Sequence, residues 1–159
     1  MQYEVERAGV GRFGQPFDAK AWTAWVRRRE ATALPGAVGF LRRVHELGGR
    51  VAIVTNRASA ECDDTKANFE AQGLALDVML CRPDEGPSDK GPRFERVRSG
   101  EAFGSGPVEV VAFLGDNIRD FPGGSQDLRK KGEDAFADFG ARYFILPNPL
   151  YGSWESNPD

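Results

Sequence analysis

The feature that most constrains the fold is the run Val108-Glu109-Val110-Val111-Ala112-Phe113-Leu114-Gly115-Asp116-Asn117-Ile118-Arg119-Asp120. Residues 110–114 are continuously apolar and rich in β-branched and aromatic side chains, the pattern of a strand buried on both faces. The run stops at Gly115, and two carboxylates follow, Asp116 and Asp120, with three residues between them. In an open parallel α/β sheet, ligands bind in the crevice beyond the carboxyl ends of the strands. A strand ending in Gly-Asp-Asn-x-x-Asp therefore delivers acidic groups to the edge where such folds do chemistry. Asp and Asn are also favoured turn formers, so this stretch alone supports a plain strand-terminal turn equally well.

The rest of the chain supplies a context. Asp18 is placed to cap a helix over 19–30, with Trp22, Trp25 and Val26 on one face at i, i+3, i+4. A second helix is expected from about Pro35, with Val38, Leu41, Val44 and Leu47 facing inward and Gly48-Gly49 ending it. Arg50-Val51-Ala52-Ile53-Val54 then repeats the buried-strand pattern and leads into Thr55-Asn56-Arg57. A helix over 60–72, a strand over 77–81, a Pro- and Gly-rich loop over 82–92 carrying Lys90, and a short helix over 93–98 follow. Beyond the strand at 110–114, a helix near 134–139 and a last strand over 142–146 are expected, the strand ended by Pro147-Asn148-Pro149. Residues 1–17 are Gly-rich and read as a short helix or loop. Strands alternating with helices predict a mostly parallel sheet with right-handed crossovers and helices on both faces, a Rossmann-like three-layer α/β/α sandwich. At 159 residues the chain, 1–159, is expected to be a single domain.

Composition narrows the function classes. A net charge of −3 argues against nucleic acid or an anionic membrane as the principal partner. No apolar run approaches the roughly 18 residues of a membrane span, and the first residues lack the apolar core of a secretory signal. Cys62 and Cys81 lack CxxC spacing and are read as buried, unpaired thiols. The single histidine, His45, sits in a helical stretch and reads as a surface residue, so chemistry needing two histidines is excluded.

Three strand ends or following loops thus carry Thr55-Asn56-Arg57, Lys90, and Asp116 with Asp120. A hydroxyl and backbone amides can hydrogen-bond a phosphoryl oxygen, and a lysine beside them neutralises its charge. Carboxylates at the next strand end can hold Mg²⁺, which takes oxygen ligands and keeps several waters. Those parts suit phosphoryl transfer, where catalysis is mostly positioning and charge stabilisation. Each has a plainer alternative: Thr55 as a strand-end cap, Lys90 as a solvated charge, Asp120 as a helix cap, Trp22 as core. It is their order, each after a buried strand, that favours the site.

The sequence also resembles a known family. The residues that carry the likeness are Pro16-Phe17-Asp18-x-Lys20-x-Trp22-x-x-Trp25-Val26, Pro35-Gly36-Ala37-Val38, Val54-Thr55-Asn56-Arg57 and Ser88-Asp89-Lys90-x-x-Arg93-Phe94. To these are added Gly115-Asp116-Asn117 with Asp120-Phe121, and Leu146-Pro147-Asn148-Pro149-x-Tyr151-Gly152-x-Trp154-Glu155. They resemble haloacid dehalogenase-like phosphohydrolases, and within them the class C acid phosphatases, which include the lipoprotein e-type 5′-nucleotidases. The resemblance implies a Mg²⁺-dependent hydrolase of small phosphomonoesters or 5′-nucleotides. Thr55 and Lys90 would contact the phosphoryl group, with Asn56 and Arg57 beside it. Asp116 would ligate Mg²⁺, Asp120 would orient the metal shell and the lysine, and Trp22 and Tyr151 would sandwich the base or ring of the substrate. Relatives of this kind are typically extracytoplasmic or lipid-anchored; the compartment of this chain is left open.

The sequence departs from the family at one motif. The family's first motif is Asp-x-Asp-x-Thr at the end of the central strand, supplying the nucleophile and the general acid, and no Asp-x-Asp occurs in this sequence. The resemblance begins just after that motif, so the first, central strand is expected to be missing by truncation. That would leave a gap between the strands at 51–54 and 110–114 and a chain without turnover. The alternative is a non-catalytic module that retains phosphate or nucleotide binding.

Overall fold

A computed structural model describes residues 18–148. The expectations for residues 1–17, Tyr151 and Trp154 lie outside those residues. The first helix, α1 (Ala19–Arg28), is capped as expected: Asp18 is extended, and its Oδ1 accepts the amides of Lys20 at 2.7 Å and Ala21 at 3.2 Å. Arg27 and Arg28 close the last turn, where cations complement the helix dipole. Trp25 and Val26 are buried, with Trp22 and Ala31 packed against them. The face expected to be apolar is the face in the core.

Helix α2 (Ala37–Glu46) begins two residues later than Pro35, after Gly36 turns the chain at φ 86°. Gly48, at φ 78°, ends the helix as expected, its amide donating to His45 O at 2.9 Å while Gly49 donates to Val44 O. The inward face does not form: no residue of α2 is buried, and Val38 and Leu47 are exposed. An apolar stripe fixes which face would pack, and little of the described chain lies over it. His45 is at the surface, where its Nε2 lies 2.9 Å from Asp77 Oδ2, and the same oxygen accepts the Val51 amide at 2.7 Å.

Strand β1 (Ala52–Ala58) pairs in parallel with β2 (Val78–Arg82), connected by α3 (Cys62–Ala71). Ala52, Ile53 and Val54 face Val78, Met79 and Leu80, after which the register shifts so that Ala58 faces Arg82. Helix α4 (Gly91–Arg98) leads toward β3 (Phe113–Gly115), which pairs in parallel with β4 (Tyr143–Ile145). The architecture is mixed α/β with two short parallel sheets, and among the described residues no ladder joins β1 to β3. Strand β3 is therefore shorter than the expected 110–114, and Val111 and Leu114 are exposed rather than buried. Burial on both faces needs cover that a two-stranded ribbon, open at both edges, does not receive among the described residues. The helix expected near 134–139 is a 3₁₀ turn (Glu133–Phe136).

Aromatic side chains tie α4 to the β3–β4 sheet. Phe94 of α4 meets Phe113 of β3 edge-on at 5.5 Å, Phe113 meets Tyr143 likewise, and Tyr143 stacks on Phe121 at 5.2 Å. Phe121, 2% exposed, anchors this seam.

The cysteines correct the sequence reading. Cys62 and Cys81 form a disulfide, with Cα atoms 6.1 Å apart. The β1–α3–β2 crossover lays the start of α3 beside the end of β2, a juxtaposition that a separation of 19 residues does not reveal. No helix among the described residues is long and apolar enough to cross a membrane.

Candidate active site at the strand carboxyl ends

Gly115 closes β3, and a 3₁₀ turn (Ile118–Asp120) follows immediately. Asp120 folds back over the strand end, and its Oδ2 accepts the amides of Asp116 at 3.0 Å and Asn117 at 3.1 Å. Asn117 Oδ1 accepts the Arg119 amide at 3.0 Å, completing a reciprocal capping box. Glycine is required at 115 because a Cβ there would collide with the Asp120 side chain. The cap is Asn117 rather than Asp120, which sits three residues on and closes the box from the N3 position, an arrangement compatible with a second role. Its other oxygen, Oδ1, accepts from Lys90 Nζ at 2.7 Å, with both side chains 14% exposed. This pair brings together two sequence-expected site residues from different sheets.

Thr55, Asn56 and Arg57 occupy the second half of β1. Thr55 Oγ1 accepts the Arg57 amide at 3.2 Å, a local turn that leaves the hydroxyl hydrogen to donate elsewhere. Thr55 and Asn56 are connected to the Lys90 loop by Arg93, whose role the sequence did not reveal. Arg93 is 6% exposed and donates to Thr55 O, to Asn56 Oδ1 at 2.6 Å, to Asp89 O at 3.0 Å and to Ser88 O at 3.4 Å. Burial lowers its guanidinium below the ordinary value; Asp89 opposes this and nearby Arg82 adds to it. Arg93 is among the residues that carry the family likeness, but no role attaches to it from sequence, and only the fold exposes its task.

Arg57 and Trp22 form a neighbouring wall. The Arg57 guanidinium lies 5.2 Å from the Trp22 ring centre and 5.8 Å from that of Trp25, and donates to Thr65 Oγ1 at 3.0 Å. Trp22 Nε1 donates to Glu61 Oε2 at 3.1 Å, and Thr23 donates to Glu61 Oε1 at 2.8 Å. Glu61 is buried, another group that its position at a helix start did not mark. Trp22 is therefore half-buried, with its ring nitrogen fixed, and belongs to both the core and the wall.

Asp116 is exposed, and its Oδ2 accepts from Asn148 Nδ2 at 2.8 Å. Asn148 is a further residue missed from sequence, read there as part of a strand stop. As a Mg²⁺ site the arrangement fits in part. Asp116 is an oxygen ligand at the right strand end, while both oxygens of Asp120 are already engaged. No cluster of three metal-ligating side chains occurs among the described residues. Mg²⁺ commonly uses one or two carboxylates together with substrate phosphate, so a single aspartate is a fragment of such a site.

The model of the HAD superfamily, subfamily IIIB (acid phosphatase), matches residues 5–154. The class C acid phosphatase from Bacillus anthracis superposes with a TM-score of 0.71 at 30% identity, over 90% of this chain and 59% of that one. Its tungstate-bound form gives 0.70 at 31% identity, over 90% and 60%. The stem 28 kDa glycoprotein of Glycine max is 24% identical over 138 residues, 86% of this chain and 50% of that protein. The chain thus spans half to three-fifths of the length of these relatives. Since that family model covers most of its length, the chain belongs to the HAD superfamily, subfamily IIIB, the acid phosphatases.

Proposed function

We propose that this chain is the larger part of a Mg²⁺-dependent phosphomonoester hydrolase whose nucleophile lies on a strand that its sequence does not contain. The observation that carries the reading is the Lys90–Asp120 pair, braced by the Asp116 and Asn117 amides at the carboxyl end of β3. A lysine so held is a fixed cation for a phosphoryl oxygen, and fixed charge needs no reorganisation as the reaction proceeds. Thr55 would donate its hydroxyl to the same group. Asp116 would hold the Mg²⁺, which when bound offsets charge on the phosphoryl oxygens.

In this reading the open edges of β1 and β3 flank the position of a central strand ending in Asp-x-Asp-x-Thr. Adding it would join the two sheets into one, with helices on both faces. The first aspartate would attack phosphorus and the second would protonate the leaving group; neither is present in this sequence, so the chain alone should not turn over. Trp22, and Tyr151 beyond the described residues, would flank the base of a nucleotide substrate, with Asn56 and Arg57 nearby. The Cys62–Cys81 bridge supports maturation in an oxidising compartment, since disulfides persist there and are rare in reducing ones.

The test compares this chain with one extended ahead of Met1 by a strand ending in Asp-x-Asp-x-Thr. Mg²⁺-dependent hydrolysis of p-nitrophenyl phosphate is expected from the extended chain alone. Turnover by the unextended chain would refute the assignment of the nucleophile. An extended chain that gains stability but no activity would leave a phosphate-binding module as the better account.

A further inference from the structure

We infer that Arg93 is a positioning residue that sets Lys90 against Asp120 by clamping the end of β1 to the loop that carries the lysine. Its acceptors fall into two groups. Thr55 O and Asn56 Oδ1 belong to β1, whereas Ser88 O and Asp89 O belong to the two residues immediately before Lys90. A guanidinium is the side chain suited to this, since it presents several donors in one rigid fork and stays charged when buried. Lysine, a single point charge, cannot span both groups.

The consequence follows along the chain of contacts. Lys90 begins α4 with a backbone fixed by the carbonyls Arg93 holds, and its ammonium reaches across to Asp120 Oδ1. Asp120 in turn receives the Asp116 and Asn117 amides, which set the direction of the Asp116 carboxylate. Releasing Ser88 and Asp89 frees the lysine loop, and the Lys90–Asp120 contact loses the anchor on one side. Arg93 thus connects the threonine on one sheet with the carboxylates on the other. It need not touch the phosphoryl group.

The proposal rests on the phosphatase reading only for what Lys90 binds, and the experiment separates the two. Arg93→Lys and Arg93→Ala would be made in this chain and amide hydrogen exchange followed residue by residue. The Asp116 and Asn117 amides should exchange about tenfold faster in both variants, the size expected from losing one charge-assisted hydrogen bond. The β1–β2 ladder amides should keep their protection. Millimolar guanidinium should restore slow exchange in Arg93→Ala and leave the parent unchanged. Unaltered Asp116 and Asn117 exchange, uniform acceleration of every amide, or failure of guanidinium to rescue would each overturn the proposal. Tungstate binding by the parent chain, measured by calorimetry, addresses the phosphatase reading separately. If tungstate does not bind but the exchange pattern holds, the clamp stands and the oxyanion assignment falls.

Discussion

Reduction of the Cys62–Cys81 bridge should cost the fold about 3 kcal/mol. The bridge closes a loop with a sequence separation of 19. Loop-closure entropy for that length is about 11 cal/mol/K, or about 3 kcal/mol at 25 °C, acting on the unfolded chain. For a domain of this size each kcal/mol moves the melting temperature by about 2–4 °C, so the midpoint should fall by about 6–12 °C. The native state adds a local consequence, because Cys62 directly follows Glu61, the acceptor for Trp22 and Thr23. Thermal unfolding with and without dithiothreitol, alongside the Cys62→Ser/Cys81→Ser double variant, measures the effect; the variant should match the reduced chain and ignore reductant. Thiol titration in denaturant should find no free thiol before reduction and two after. Two free thiols before reduction would refute the pairing. A confirmed bridge whose reduction leaves the midpoint unmoved would refute the loop-entropy argument, and would mean that the unfolded chain is already constrained over this stretch.

Other consequences are as direct. Lys90→Ala leaves a sheltered carboxylate without its cation and should lower stability by about 2 kcal/mol in urea unfolding, an effect that Asp120→Asn in the same chain should partly relieve. Glu61→Ala removes the acceptor of both Trp22 Nε1 and Thr23 Oγ1 and should cost about 2 kcal/mol, with a changed tryptophan emission; Glu61→Gln should cost less. Burial raises the Asp77 carboxyl, but the Val51 amide, the His45 ring and Arg50 together outweigh it and hold it below its ordinary 3.8. A carboxyl depressed in the folded state stabilises above its unfolded value and loses that contribution as pH falls through the folded one, so Asp77→Asn should flatten the acid limb of a stability–pH curve below about pH 4.

What the sequence could convey depended on how local the physics was. The Asp18 cap and the Gly48 stop are settled within one turn of helix, and both formed as expected. Thr55, Lys90, Asp116 and Asp120 stood out because each follows an apolar run, and a parallel sheet sends the carboxyl ends of its strands to one edge, where Lys90 and Asp120 meet. Arg93 and Glu61 carried no such mark, and Asn148 read only as part of a strand stop. Their distant partners lie 37–38, 38–39 and 32 residues away, and only the assembled chain shows these contacts. The disulfide was invisible for the same reason. The α2 stripe and the run at 110–114 differ in the opposite sense: an apolar pattern states what a segment could bury, while Val38, Leu47 and Val111 stay exposed where none of the described elements covers them.

The bridge between the two sheets is an unusual place for an ion pair unless it has a further partner. Taking Lys90 and Asp120 partly out of water costs desolvation that their mutual attraction alone barely offsets. Asp120 recovers the cost well, with three donors on its two oxygens. Lys90 does not, since among the described residues Asp120 is its sole acceptor, and an ammonium has three hydrogens to donate. Lys90, 14% exposed, keeps two donors for water or a ligand, in the network that Arg93 ties to Thr55. Under the proposed function a phosphoryl group would accept from Lys90 without disturbing Asp120. The pair would then be one side of a three-body arrangement with the phosphoryl group, while the aromatic seam from Phe94 to Phe121 packs α4 against the β3–β4 sheet beside it.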